Sequence, residues 1–328
     1  MGTQLEAVVE NVGSDRMTNV RRPLMTEGLF RWLTLSAATL LLASLIGIAL
    51  LLLLQSRQSI SAFGFDFLLT DTWNPVKDKF GALAPIFGTL VTSIIAMLVG
   101  VPLAFGVTFF LAELCPFALR GPLSVAVELL AAVPSIIFGM WGLFVLAPFL
   151  AAHVQPFFIA LLGPIPILGA LFQGPPFGIG MLTAGLILGV MILPYVAAVA
   201  RQVISTVPPM LREAAFGVGA TRWEVFRRVL VPYASKGLLG GVMLGLGRAL
   251  GETMAVTLVI GNSHHLSASL FAAGTTISAS LANEFTEAES DLYQSSLLEL
   301  GLILFVLTFA VLAAARFMLA QSGRKVKV

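Results

Sequence analysis

Two ionisable residues, Arg248 and Glu252, lie four positions apart in a long apolar stretch of the sequence. In a helix this spacing places both side chains on one face, within reach of each other. Each charge costs about 2.5–3.5 kcal/mol at the centre of a membrane helix, so intramembrane ionisable residues are usually functional. A guanidinium group donates paired hydrogen bonds that suit a tetrahedral oxyanion. Arg248 and Glu252 are therefore candidate residues of a substrate pathway, and the alternative is a salt bridge that only stabilises packing.

The most basic part of the chain is a polar segment at about 205–236, between two apolar stretches. It contains Glu213-Ala214-Ala215, then Gly219, and further on Pro232. Its clustered arginines are Arg212, Arg222, Arg227 and Arg228. We expect a short amphipathic helix that ends near Gly219, because glycine adopts the left-handed geometry found at helix ends. Such a helix would present one face to a soluble partner.

The composition indicates a membrane protein. Of the 328 residues, 58% are hydrophobic and 11% are charged, whereas soluble domains carry about 25% charged residues. Cys115 is the only cysteine, so no intramolecular disulfide can form. The three histidines and this cysteine supply no metal cluster, and no Gly-x-x-x-x-Gly-Lys-Ser/Thr motif for nucleotide binding occurs. We therefore expect no catalytic residue, metal site or cofactor site in this chain.

Apolar stretches long enough to cross a bilayer, which takes about 20 residues, predict an all-α protein with six transmembrane helices. The predicted spans are 33–54, 87–111, 123–150, 179–200, 238–261 and 296–317. Pro134 should kink the third span. Prolines crowd the following connection, at 156–176, so we expect a short re-entrant or interfacial helix at 157–162 rather than a seventh span.

The positions of Lys and Arg predict that both termini lie in the cytoplasm. With this orientation Arg57, Lys77 and Lys79 lie outside and Arg248 lies in the membrane. The remaining fifteen of the 19 Lys and Arg residues then lie in cytoplasmic segments, as positively charged loops do in membrane proteins. The expected domains are a cytoplasmic segment 1–29, a membrane domain 30–320 and a cytoplasmic tail 321–328.

Two overlapping small-xxx-small patterns occur in the fifth predicted span. They pair Gly241 with Gly245, and Gly247 with Gly251. Glycines at this spacing let a second helix backbone approach closely. We expect them to pack helices, with a helix of a partner permease as the expected neighbour.

Several of these stretches together resemble the permeases of ABC importers. The stretch from Glu213 through Gly219 to Val229-Leu230-Val231-Pro232 is similar to the EAA loop of that family, although the family pattern ends in Leu-Pro and this one in Val-Pro. The stretches 128–142, 247–256 and 281–290 resemble the permeases of bacterial phosphate importers. The resemblance covers about 30–320.

This resemblance implies the fold of a type I ABC importer permease in the bacterial inner membrane. It implies a heterodimer with a homologous second permease, two copies of a cytoplasmic ATPase that bind ATP and Mg, and an extracytoplasmic phosphate-binding protein. Phosphate would be the substrate, and no nucleic acid is expected. The implied ATPase-coupling residues are Arg212, Glu213, Ala214, Ala215, Gly219 and Ala220.

Three alternatives remain open at the level of the sequence. The first is an importer of a different oxyanion, such as sulfate or molybdate. A secondary transporter would use Arg248 and Glu252 without an ATPase, but it would leave the EAA-like loop unexplained. A membrane-embedded enzyme would need converging nucleophiles or metal ligands, which the three histidines do not supply.

Overall fold

The computed structural model describes residues 25–165 and 168–322, with side chains at 28–165 and 169–317. Most of the expected N-terminal segment 1–29 and of the tail 321–328 lies outside these residues. The chain divides into two units after Leu51. In the first unit the structure describes helix α1 as far as Leu51, and its apolar side chains are largely exposed, which suits a lipid environment.

The described residues form helices and no regular β-sheet. Six helical stretches are long and apolar enough to cross a membrane, which confirms the expected number of spans. They are Gly28–Gln55, Leu83–Leu114, Ser135–Leu162, Met181–Ser205, Arg222–Leu250 and Asp291–Phe317. We refer to them as spans one to six.

The α-helices, in chain order, are α1 (Met25–Gln55), α2 (Arg57–Phe63), α3 (Asp66–Leu69), α4 (Leu83–Phe109), α5 (Phe117–Ala131), α6 (Ser135–Trp141), α7 (Ala147–Phe149), α8 (Gln155–Leu162), α9 (Leu168–Leu171), α10 (Met181–Ser205), α11 (Pro209–Gly217), α12 (Arg222–Glu224), α13 (Val231–Leu250), α14 (Met254–Val259), α15 (Ile277–Glu284) and α16 (Asp291–Ser322). Four π-helical turns connect some of them, at Phe110–Leu114, Gly142–Leu146, Leu150–Val154 and Val225–Leu230.

Span four, formed by α10, lies at the centre of the second unit. In the most apolar 18-residue stretch of span four, 61% of the residues are buried, whereas the corresponding stretch of each other span is at most 28% buried. Glycines let its backbone contact that of α4: a Cβ added at Gly100 would lie 2.7 Å from the carbonyl oxygen of Gly189. Such close contact strengthens packing between membrane helices, where no hydrophobic effect drives association.

Each π-helical turn ends two residues before a proline. The prolines are Pro116, Pro148, Pro156 and Pro232. In a regular helix a proline ring clashes with the carbonyl of the residue four positions earlier. That residue lies inside the π-helical turn in all four cases. At Pro148, Pro156 and Pro232 the helix continues and the wider turn relieves the clash, whereas before Pro116 the backbone is extended at Cys115 and the helix ends. As a result, span three continues through Pro148 and Pro156, and span five continues through Pro232.

The predicted boundaries of span three are therefore wrong. The structure places it at Ser135–Leu162 rather than at 123–150. The helix does not kink at Pro134 but breaks there, because a residue that precedes proline is restricted to non-helical geometry. The residues before the break form the separate helix α5. The expected re-entrant helix at 157–162 is also wrong, because these residues continue span three.

Span five also differs from its prediction. It runs from Arg222 to Leu250, whereas an unbroken helix was expected at 238–261. It begins earlier because the π-helical turn at Val225–Leu230 accommodates Pro232. It ends at Gly251, and a non-helical segment leads to the short helix α14. Apolar composition alone does not reveal this break.

Candidate substrate pathway and coupling loop

Arg248 lies in the last turn of α13, beside the break in the helix. Its side chain is half-buried, and its guanidinium carbon lies 5.8 Å from the centre of the Tyr195 ring on α10. The ring face and the negative end of the α13 dipole both favour the cation. Among the described residues Arg248 forms no salt bridge, and its buried Nε atom has no hydrogen-bond partner. Arg248 therefore has donors that remain available to an anion.

The expected pairing of Glu252 with Arg248 is wrong. The i, i+4 argument requires a continuous helix, but α13 ends at Leu250. Glu252 instead turns towards α14, where its Oε1 atom accepts a hydrogen bond from the backbone N–H of Ala255 at 3.3 Å. A carboxylate at the start of a helix stabilises the exposed N–H groups there. Glu252 thus caps the start of α14, and among the described residues no carboxylate forms a salt bridge with Arg248.

The helix that follows the break is buried in protein. A Cβ added at Gly139 in span three would lie 2.9 Å from the Cα atom of Ala255. Ala255, Val256 and Val259 also belong to the main buried cluster, which is centred on α10. Non-helical backbone at membrane depth is stable only where protein surrounds it or where it lines a water-filled cavity. Broken helices of this kind are typical of transporter binding sites.

The glycine patterns pack differently from the expectation. Cβ atoms added at Gly241 and Gly245 would lie 2.9 Å and 2.7 Å from side-chain atoms of Val199 and Val196. Both valines belong to α10 of the same chain, so these two glycines do not face a partner permease. A Cβ at Gly247 or Gly251 would have no contact closer than 3.7 Å. A packing role against a partner stays a prediction for that second pair.

The segment 205–236, which we call the coupling loop after its expected role, contains a short helix, α11, with a defined end. Gly219 has φ +86°, which confirms the left-handed geometry expected for it. The N–H of Gly219 donates to Phe216, and the N–H of Ala220 donates to Ala215. These two bonds form a Schellman motif. Ala215 and Ala220 both pack onto the apolar cluster beneath the loop, so the motif fixes α11 against the membrane domain.

A capping box begins the helix that follows. The Thr221 side chain accepts from the Glu224 N–H, and the Glu224 carboxylate accepts from the Thr221 N–H at 3.0 Å. This reciprocal pair satisfies donors that are otherwise free at a helix start. The loop is therefore ordered on both sides of Gly219.

One face of the loop is exposed. Glu213 and Ala214 are exposed on α11, as are larger apolar side chains. Met210 is 75% exposed, Val218 is 87% exposed and Trp223 is 52% exposed. By contrast, Arg212 and Ala215 face the membrane domain. An ordered helix with an exposed, partly apolar face suits the docking of another protein.

Glu113, at the end of span two, was not predicted as a functional residue. Its carboxylate lies 3.5 Å from Arg212, and its backbone carbonyl accepts a 2.8 Å hydrogen bond from Arg222. Glu113 therefore joins the end of span two to α11 and to the start of α12. The available signal was its position, because Glu113 is the first charged residue after the uncharged stretch 80–112.

Three residues from distant segments meet around Glu284 at the opposite end of the spans. Trp73 and Tyr293 both donate hydrogen bonds to its Oε2 atom, and His264 contacts its Oε1 atom. The rings of Trp73 and His264 are stacked. Burial raises the pKa of the Glu284 carboxyl. The hydrogen bonds from His264, Tyr293 and Trp73, together with the charge of His264, lower this pKa by a larger amount, so the net shift is downward. The cluster joins the segment after span one to α15 and span six.

Comparison with known proteins agrees with this arrangement. A family model described as a binding-protein-dependent transport system inner membrane component matches residues 100–322. The PstC phosphate transport system permease of Mesorhizobium japonicum is 58% identical over 310 residues, which cover 94% of this chain and 95% of that protein. The PstC protein of Haemophilus influenzae is 52% identical over 295 residues, which cover 90% and 93%.

A chain of the bacterial alginate ABC transporter, solved in complex with its alginate-bound periplasmic protein, has the same fold. It matches with a TM-score of 0.59 at 18% identity, over 94% of this chain and 99% of that one. At this low identity the likeness concerns the fold alone, and it confirms the expected fold of an ABC importer permease. The chain belongs to the family of binding-protein-dependent transport system inner membrane components and, within it, to the PstC phosphate transport system permeases.

Proposed function

We propose that this chain forms half of the translocation pathway of an ATP-driven phosphate importer in the inner membrane. The PstC relatives, described as phosphate transport system permeases, support this substrate. The second half is a homologous permease. Two copies of a cytoplasmic ATPase supply the ATP and Mg sites, and an extracytoplasmic protein delivers phosphate. The bias of Lys and Arg supports a cytoplasmic position for both termini.

The availability of Arg248 is the observation that carries this proposal. Its guanidinium group is half-buried beside a helix break and has no salt bridge to a described residue. A phosphate ion passing the break would accept hydrogen bonds from the planar fork. Tyr195 positions the fork when no anion is present. The carboxylate of Glu252, held by α14, adds negative charge to the same segment, which favours release of the anion over tight binding.

Coupling to the ATPase is assigned to the exposed face of the loop. Glu213, Ala214 and the ordered turn at Gly219 would contact the ATPase. Arg212, Ala215 and Ala220 would transmit the movement, because they connect the loop to the membrane domain. The domain limits 1–29, 30–320 and 321–328 remain part of this proposal.

The test of the pathway is phosphate uptake by the complete complex in proteoliposomes, with Arg248 substituted. Arg248→Gln should lower uptake at least about tenfold, because a hydrogen bond to a charged group contributes about 1.5–3 kcal/mol. Arg248→Lys should also be poor, since it lacks the planar fork. Tyr195→Leu should lower uptake, whereas Tyr195→Phe, which retains the ring face, should not.

Assembly with the ATPase serves as the folding control for each variant. The double variant Arg248→Gln/Glu252→Gln distinguishes the pathway from a structural pair. With a structural pair the second change would restore much of the uptake, because two amides can bond to each other. We expect no rescue, and normal uptake in the double variant would exclude Arg248 from the pathway.

A further inference from the structure

A second cationic site, built from arginines other than Arg248, lies at the base of the coupling loop. It is a cavity of about 240 Å³ between the ends of spans two and four and the start of α11. Its lining residues are Leu111, Ala112, Arg120, Arg201, Ile204, Ser205, Val207, Pro209 and Arg212. Three of these are arginines, and each comes from a different helix: α5, α10 and α11.

The carboxylates around this cavity do not balance the three arginines. Arg201 forms a salt bridge with Glu128. Arg212 lies 3.5 Å from Glu113. Arg120 has no salt bridge to a described residue, and it makes only a 3.5 Å contact with the backbone carbonyl of Cys115. The cavity therefore carries a net positive charge.

Two guanidinium groups also have donors without acceptors. The Nε atoms of Arg120 and Arg212 are buried, and neither has a hydrogen-bond partner among the described residues. The Oε1 atom of Glu113 also has no hydrogen-bond partner, so its 3.5 Å ion pair with Arg212 is not supported by a hydrogen bond. Buried donors without partners are costly, and an anion with several oxygen atoms would satisfy them.

We infer that this cavity binds a phosphate group at the cytoplasmic base of the coupling loop. The ligand is either free inorganic phosphate or the headgroup of an anionic phospholipid. The cavity holds about eight times the volume of one liquid water molecule, which leaves room for a phosphate group and some water. Arginine clusters are the usual protein partners of phosphate oxygens.

A bound phosphate group would add a polar connection between three helices whose salt bridges at this cavity are those of Arg212 with Glu113 and Arg201 with Glu128. It would hold Arg212 of α11 towards Arg120 of α5 and Arg201 of α10. The coupling helix would then be fixed more firmly to the membrane domain when the site is occupied. If free phosphate occupies the site, the coupling between this loop and the ATPase would respond to the phosphate concentration in the cytoplasm, where the importer delivers phosphate. The site is independent of Arg248, and only its cytoplasmic location depends on the proposed orientation.

The test measures the reactivity of a cysteine inside the cavity. Ser205→Cys is introduced into the complete complex in nanodiscs, with the single native cysteine removed by Cys115→Ala. Phosphate should slow maleimide labelling at this position relative to chloride at equal ionic strength. Arg120→Gln should raise the phosphate concentration that gives half-maximal protection of Ser205→Cys at least about tenfold, which corresponds to about 1.4 kcal/mol of binding free energy. Arg120→Lys should have a smaller effect, because it keeps the charge.

Two matched controls use exposed residues outside the cavity. Gln202→Cys, on the same helix, should not be protected by phosphate. Arg227→Gln, which removes a different exposed cation of the loop, should leave the protection of Ser205→Cys unchanged. Protection at both cysteines, or protection that survives Arg120→Gln, would overturn the assignment.

The lipid composition of the nanodiscs distinguishes the two sources of phosphate. Protection by added phosphate in phosphatidylcholine nanodiscs indicates the free ion. Arg120-dependent protection in phosphatidylglycerol nanodiscs without added phosphate indicates a headgroup. Labelling that is independent of both would overturn the inference. If Ser205→Cys does not react, either added phosphate or phosphatidylglycerol should still raise the thermal midpoint of an Arg248→Gln complex relative to phosphate-free phosphatidylcholine nanodiscs. Addition of Arg120→Gln should abolish this rise. No rise with either ligand in the Arg248→Gln complex would also overturn the inference.

Discussion

Arg248 and Arg120 are both held without a carboxylate. Arg248 lies over an aromatic ring at the end of a helix, and Arg120 lies beside a backbone carbonyl. A guanidinium group stays protonated in proteins, so each remains a cation with unused donors. A carboxylate partner would occupy these donors permanently and compete with any passing anion. The absence of such a partner among the described residues is what makes both sites suitable for reversible anion binding.

The sequence predicted which residue types matter better than it predicted their partners. Arg248 stood out because a charge in an apolar stretch is costly. Tyr195 did not stand out, because its contact with Arg248 depends on how α10 and α13 pack. The pairing of Glu252 with Arg248 was wrongly predicted, since it required an unbroken helix, whereas α13 ends at Leu250. Glu113 could have been recognised by its position, because it is the first charged residue after the uncharged stretch 80–112.

The Glu284 cluster predicts a pH dependence of stability. The pKa of Glu284 in the folded chain lies below its ordinary value of 4.5. The ionised carboxylate therefore stabilises the fold above about pH 4.5, and this contribution is lost as the pH falls through the lower pKa of the folded chain. Glu284→Gln should cost about 1–3 kcal/mol near neutral pH. It should also flatten the decline of the thermal midpoint in acid.

The matched control for this prediction is Glu287→Gln, an exposed carboxylate on the same side of the protein. It should leave both the stability near neutral pH and the acid profile unchanged. Thermal unfolding of the purified complex, followed from pH 7 to pH 3, measures both quantities. Identical acid profiles for Glu284→Gln and the unmodified protein would refute the role of the cluster.

At the scale of elements, the prolines explain most of the differences from the prediction. Proline was expected to end or kink helices, and it does so at Pro134. At Pro148, Pro156 and Pro232 a π-helical turn accommodates the ring, and the span continues. A proline alone does not show whether a π-helical turn will precede it, so the limits of spans three and five could not be predicted from composition.

The coupling loop supports a prediction about Gly219. An L-residue in left-handed geometry costs about 1–2 kcal/mol, and a Cβ added at Gly219 has open space around it. Gly219→Ala should therefore weaken ATPase binding through the backbone alone, and Gly219→Asn should be better tolerated. Gly217→Ala is the control, because its Cβ also has open space and its backbone is helical. Pull-down of the ATPase with each membrane-inserted permease variant measures the effect. Full association of the ATPase with Gly219→Ala would contradict the proposal that the Schellman motif positions the loop for ATPase binding.

At the scale of the whole molecule, the number of spans could be predicted because membrane helices must satisfy their own backbone hydrogen bonds. The fold of an ABC importer permease was predicted from the resemblance to that family. The packing of the spans could not. Gly241 and Gly245 carry a recognisable pattern, but the sequence does not say which helix fills it, and α10 of the same chain does so. In the coupling loop the left-handed geometry at Gly219 was predicted from a local signal, whereas the capping box at Thr221 was not predicted.

The most direct test of the account is the substrate dependence of ATP hydrolysis by the reconstituted complex. The binding protein, both permeases and the ATPase are combined in proteoliposomes, and phosphate, sulfate and molybdate are compared. We expect phosphate to stimulate ATP hydrolysis and uptake together, and Arg248→Gln to abolish both effects while assembly is retained. Stimulation by sulfate or molybdate in place of phosphate would contradict the assigned substrate. Phosphate uptake that proceeds without ATP would contradict the ATP-driven mechanism.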